Sequence, residues 1–199
     1  MPLPLILASR SAARAALLRR ARVPFELAAT AVDEAAVKAS MLAEGAPARD
    51  VADALAELKA RRVASRRQDR LVLGADQVLV CDGHLLDKPV DKAAARAQLV
   101  ALRGRAHQLL SAAVVFEVAR PVWRHVGRAE LAMRAFSDSF LDRYLEEEGN
   151  EVLASVGAYR IEDGGAQLFS RVTGDLFTIM GLPLLELLAF LRTREVIVE

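Results

Sequence analysis

The chain has 199 residues, of which 53% are hydrophobic and 27% charged, with a formal net charge of +1; this is the profile of a soluble globular protein with a sizeable core, and it excludes a strongly basic nucleic-acid binder. No apolar run reaches the roughly 20 residues of a membrane span, and residues 1 to 9 lack the basic start and cleavage site of an export signal, so a cytoplasmic protein with no membrane partner is expected. One cysteine, Cys81, excludes an intramolecular disulfide, and His84, His107 and His125 have no paired metal-ligand spacing, which argues against a zinc hydrolase.

Leu3 to Ala8 reads as a short buried strand, with Ser9 and Ser11 supplying N-cap chemistry for a helix to about Ala21. A strand, a tight turn and a helix N-terminus make an anion site, because first-turn N–H groups have no intrahelical partners. Arg14 opens that helix's apolar stripe, ahead of Leu17, Leu18 and Ala21, where an arginine is either snorkelling or reaching into a cleft. Phe25 to Ala28 reads as a second strand. In the polar segment that follows, Asp33-Glu34 supplies either a metal carboxylate or a helix N-terminal charge. The Ala-rich region after it carries no clear element signal. Asp50 is the predicted cap of a helix to about Arg67, and Lys59 lies on its buried stripe with Leu55, Ala56 and Val63.

Residues 71 to 91, LVLGADQVLVCDGHLLDKPVD, form the centre of the chain. The first half reads as a strand buried on both faces, yet Asp76 and Gln77 interrupt its apolar run. A buried carboxylate is tolerated only when paired, coordinated to a metal or shifted in pKa, so Asp76 is a candidate for chemistry as well as for a structural network. A two-residue Asp82-Gly83 loop would pair Cys81 with His84 and, if continued, set Lys88 opposite Gln77 on the wrong face from Asp76. Joint action of Asp76 and Lys88 therefore requires an irregular hairpin or a strand that ends before Lys88.

Beyond it, Lys92 to Leu102 reads as a helix ended by Gly104, and Ala106 to Val118 and Val122 to about Phe136 as neighbouring antiparallel strands. Ser137 is the predicted cap of a helix to about Glu148. Gly157 to Glu162 and Ala166 to Ser170 suggest a hairpin about Asp163-Gly164-Gly165, Leu176 to Met180 a strand, and Leu184 to Arg192 a closing helix after Gly181-Leu182-Pro183. The arginine-rich start, the basic end of the Lys59 helix and the acidic run Glu146 to Glu148 read mostly as solvated faces. Nothing marks an internal repeat or a domain boundary, so a single domain over 1–199 is expected.

These segments together resemble the Maf family, known as septum-formation proteins and as nucleoside triphosphate pyrophosphatases. The likeness rests on Leu7-Ala8-Ser9-Arg10-Ser11-Ala12-Ala13-Arg14, Val32-Asp33-Glu34, Lys59, Gly74-Ala75-Asp76, Lys88-Pro89, Gly104 with His107, Gly157-Ala158-Tyr159 and Gly181-Leu182-Pro183-Leu184, in that order along nearly the whole chain. It implies an α/β inosine-triphosphate-pyrophosphatase-like fold, a long twisted mixed sheet with flanking helices and a cleft between two lobes, in a homodimer. The implied activity is cleavage of the α–β phosphoanhydride of non-standard or modified nucleotides with Mg²⁺ or Mn²⁺, a house-cleaning task linked to cell division. Asp76 then becomes the catalytic carboxylate, as base or metal ligand, with Glu34 as its partner on the metal. Ser9, Arg14, Lys59 and Lys88 become phosphate ligands.

Ala13, Gln77 and Glu162 fall at positions of substrate choice. Gln77 and Glu162 resemble the subgroup acting on 7-methylguanosine triphosphate, whereas Ala12-Ala13 replace the family's usual proline and arginine or tryptophan. A stacking surface is thereby lost. The alternative expectation is a nucleotide-binding regulator of septum formation with weakened catalysis. A nucleic-acid-binding domain is disfavoured by the modest net charge and few aromatics.

Overall fold

The computed structural model describes residues 5–29 and 32–198, so Leu3 and Pro4 of the first expected strand, and Thr30 and Ala31 before Val32, lie outside the described residues. Strand β1 (Leu5–Ala8) is buried along its whole length and runs parallel to β2 (Phe25–Leu27) on one side and β3 (Leu71–Cys81) on the other. That position between two parallel neighbours explains an apolar run without alternation. The sheet has seven strands in the hydrogen-bonded order β2-β1-β3-β5-β6-β7, with β4 (His84–Leu86) against β3, β5 spanning Ala106–Glu117, β6 Arg120–Met133 and β7 Phe169–Thr173. Parallel and antiparallel pairings both occur, so the sheet is mixed.

The helices are α1 (Ala12–Arg20), α2 (Glu34–Ala43), α3 (Ala48–Ala64), α4 (Lys92–Leu102), α5 (Asp138–Glu148), α6 (Leu176–Ile179) and α7 (Leu184–Thr193). The expected mixed α/β architecture is present. No helix among the described residues is long and apolar enough to cross a membrane. Contacts divide the chain into two compact units, the first made of 1–77, 110–127 and 181–199, the second of 78–109 and 128–180. The first buries Leu5, Ile6, Leu7, Leu18, Leu55, Leu71 and Leu73. The core of the second gathers Leu79, Leu99, Leu102, Leu131, Leu141, Tyr144, Tyr159 and Leu168.

Of the two geometries the sequence left open, the hairpin is not irregular; its second strand ends early. Asp82 and Gly83 form a two-residue loop with φ of 49° and 79°, the left-handed pair that a tight hairpin of this length needs. Cys81 faces His84, Val80 faces Leu85 and Leu79 faces Leu86, and β4 stops there, before Lys88. Lys88 thus lies beyond the ladder, where the alternation of its faces no longer applies.

Three expectations are corrected. Helix α3 starts at Ala48 after the extended Pro47, whose φ of −61° and ψ of 147° lead directly into the first turn; Asp50 sits inside that turn, where its charge suits the helix dipole. The segment 157–168 is no hairpin strand: it turns through the left-handed Ala158 (φ 60°) into a short 3-10 turn over Gly164–Leu168, and only Phe169–Thr173 pairs, with β6. A Cβ at Gly165 would lie 2.3 Å from the Arg160 carbonyl oxygen, so this glycine permits the chain to close on itself. Finally, Leu176–Ile179 is helical, because Asp175 accepts at 2.8 Å from the Thr178 N–H as an N-cap.

Candidate active site

The first unit brings Ser9, Arg14, Glu34, Lys59 and Asp76 together from the turn after β1 and from α1, α2, α3 and β3. Ser11 caps α1, its Oγ accepting from the Arg14 N–H at 3.3 Å. Ser9, expected to share that capping, instead accepts at Oγ from the Ser11 N–H (3.2 Å) and from Arg14 Nη1 (3.3 Å). Arg14 is 8% exposed, which rules out the snorkelling reading, and its Nε donates to the Gly181 carbonyl at 2.7 Å. Burial pushes its guanidinium below the ordinary value, while Asp76 and Glu34 push it back up. A guanidinium stays charged under such influences.

Lys59 is the hub of the carboxylates. Its Nζ lies 2.6 Å from Asp76 Oδ1 and 2.9 Å from Glu34 Oε1, and Lys59 and Asp76 are 7% and 5% exposed. Gly74 makes this geometry available. A Cβ there would stand 2.1 Å from the Ala56 carbonyl oxygen and 2.6 Å from the Ala60 nitrogen, so α3 lies on β3 closer than any side chain would permit. Lys59, between those two alanines on the helix, is carried with it to Asp76, two residues along the strand from Gly74. Asp33 takes the capping role, accepting at Oδ1 from the Ala36 N–H at 3.0 Å, which leaves Glu34 in the first turn of α2 to reach Lys59.

Asp76 Oδ2 is buried and finds no hydrogen-bond partner among the described residues. An ionised carboxylate oxygen left so is costly, and in a native site it calls for a water, a cation or a ligand donor. Among the described residues there is no group of three or more His, Cys, Asp or Glu side chains able to hold a metal by themselves. Asp76 and Glu34 do fit the sparser set of Mg²⁺, which takes one or two carboxylates and completes its shell with phosphate oxygens and water.

Gln77, on the other face of β3 from Asp76, donates from Nε2 to Ser111 Oγ at 3.0 Å. Ala13 is half-buried in the first turn of α1. Lys88 and Glu162 belong to the second unit, where Glu162 lies 3.6 Å from the Arg160 guanidinium. Sequence reasoning singled out Asp76, Arg14 and Lys59 as charges in apolar patterns but gave no role to the Gly181 carbonyl or to Ser111, whose partners are distant in the chain. Gly181 was marked only as part of the Gly181-Leu182-Pro183-Leu184 motif, and Ser111 only as a lone hydroxyl in an apolar strand.

A family model described as "Maf-like protein" matches residues 4–194. A protein of Ruegeria pomeroyi named nucleoside triphosphate pyrophosphatase is 52% identical over 197 residues, covering 99% of both chains. Relatives of the same name from Paramagnetospirillum magneticum and Caulobacter vibrioides are 54% and 52% identical, covering 94% and 95% of this chain and 96% and 94% of their own. Among solved structures, a nucleoside-triphosphatase / dITP/XTP pyrophosphatase of Mycobacterium abscessus shows a weak likeness, with a TM-score of 0.43 and 16% identity over 97% of this chain and 95% of that one.

Proposed function

The chain belongs to the Maf-like protein family, and from that premise we propose that it is a nucleoside triphosphate pyrophosphatase, cleaving the α–β phosphoanhydride to release a nucleoside monophosphate and pyrophosphate. The observation that carries this reading is the buried Asp76 carboxylate, with one oxygen on Lys59 and the other unpartnered, in a set that also contains a buried arginine. Binding alone does not require a buried anion beside phosphate. A carboxylate with one oxygen fixed and one open can accept the proton of a water attacking phosphorus. The bond to the bridging oxygen then breaks and pyrophosphate leaves. Arg14 and Lys59, with the N–H groups of the Ser9 to Ser11 turn, offset the charge of the triphosphate, and Lys88 is assigned to the same task. Lys59 also orients Asp76 through its bond to Oδ1.

Asp76 and Glu34 would hold a divalent cation, Mg²⁺ or Mn²⁺, which supplies charge neutralisation and polarisation of water when bound. For substrate choice, Gln77 and Glu162 favour 7-methylguanosine triphosphate: a carboxylate accepts from the Watson–Crick edge of guanine and suits a cationic methylated base. Ala13 offers no stacking surface, so affinity for the base rests on polar contacts.

The test is a panel of nucleoside triphosphates, including 7-methylguanosine triphosphate and the pyrimidine triphosphates, assayed for pyrophosphate with Mg²⁺ or Mn²⁺ and again with chelator. Release that is fastest on the methylated nucleotide and abolished by chelator is expected. Faster release from pyrimidine triphosphates would overturn the substrate assignment, and undiminished release in chelator the metal. Nucleotide binding with no release from any substrate would favour the regulator of septum formation instead.

A further inference from the structure

Arg14 is held from the other end of the chain, 167 residues away, by the Gly181 carbonyl. The kind of acceptor matters. The two carboxylates that act on Arg14 electrostatically, Asp76 and Glu34, are themselves bonded to Lys59. Arg14 rests instead on a neutral carbonyl and a neutral hydroxyl, the Ser9 Oγ. Neutral acceptors fix the direction of a guanidinium without cancelling its charge, so the group stays both oriented and available to an anion.

Gly181 is suited to this in two independent ways. Its φ of 100° lies in the region that L side chains rarely adopt. A Cβ added there would lie 3.3 Å from Arg14 Nε and 3.5 Å from Nη2, so any larger residue would push on the guanidinium itself. The turn is also pinned, because Leu182, Leu184, Leu187 and Leu191 that follow it are buried. Gly181-Leu182-Pro183-Leu184 carry no charged side chain, so the contribution of this stretch comes through Arg14.

We propose that the Gly181 turn is a positioning device for the triphosphate site: its carbonyl takes the Arg14 Nε–H and thereby aims the other guanidinium N–H groups at phosphate. This rests on the reading of Arg14 as a phosphate ligand given above, and goes beyond it in assigning Gly181 as the residue that sets the geometry.

The test is a double-mutant cycle on the binding of inorganic tripolyphosphate, read by calorimetry for the natural chain, Gly181→Ala, Arg14→Ala and the double variant. Gly181→Ala is expected to weaken binding about tenfold, the value of one charged hydrogen bond. In the Arg14→Ala background the same change should alter Kd by less than about twofold. An equal loss in both backgrounds, or no loss in either, overturns the proposal. Should melting curves show Gly181→Ala unfolded, Arg14→Lys decides: it keeps the charge but lacks the planar fork whose Nε–H the carbonyl holds, so its Kd should stay about tenfold above that of the natural chain, and recovery to the natural affinity overturns the proposal. Tripolyphosphate binding reads this geometry without turnover. Failure of the natural chain to hydrolyse any nucleotide would therefore count against the catalytic reading and leave the cycle to be judged separately.

Discussion

Asp76, Lys59 and Arg14 were legible because each breaks an apolar pattern, and a charge in a buried position must be answered by something nearby. What answers it was not legible. Lys59 spans two carboxylates that lie on a strand and on a separate helix, and Arg14 rests on a carbonyl 167 residues away. No spacing rule connects such residues, since tertiary packing alone brings them together. Gly74 shows the same limit: a glycine inside a strand announces a close approach without naming the neighbour, here the backbone of α3 at Ala56 and Ala60. Replacing it with alanine forces a helix away from the sheet. Gly74→Ala is expected to cost about 1–3 kcal/mol by overpacking, seen as a lower melting temperature, together with slower turnover as Lys59 is drawn off Asp76. An unchanged melting temperature would mean that α3 does not lie so close.

Elements with strong local signals were found in place, as with β3, α4 and α5, whose caps and termini follow the sequence. Errors came where a local pattern met a stronger constraint. Leu176 to Met180 has strand-like residues, but the Asp175 cap and the turn at Gly181 confine it to one helical turn. The segment after Gly157 alternates like a hairpin, yet it folds back on Arg160 through Gly165. A further departure lies between β5 and β6, where Val118 and Ala119 occupy a two-residue loop with φ of 47° and 60°. Left-handed backbone is costly for both residues, most of all for a β-branched valine. Val118→Asn with Ala119→Gly supplies the preferred pair for such a loop and should stabilise the protein by about 1–2 kcal/mol, measured by denaturant titration. Destabilisation by this pair would contradict the loop geometry.

On the scale of the whole molecule, stability should depend on pH through His107. Its ring is 2% exposed, with Nε2 2.8 Å from the Tyr159 hydroxyl and Nδ1 without a partner among the described residues. Burial pushes its pKa down from 6.5 to about 4. The unfolded chain therefore binds a proton that the fold refuses between those values: the contribution is complete above pH 6.5 and is lost as pH falls toward 4. At about 1.36 kcal/mol per pH unit this amounts to about 3 kcal/mol. His107→Gln should flatten the stability profile over that range, and a profile as steep as the natural one would remove His107 as its cause. The chemistry assigned to Asp76 shows in the products of one reaction. With a nucleoside triphosphate and Mg²⁺, nucleoside monophosphate and pyrophosphate are expected in equal amounts, with the rate reduced by about 10²–10⁴ in Asp76→Asn. Nucleoside diphosphate with orthophosphate as products, or an undiminished rate in Asp76→Asn, would contradict it.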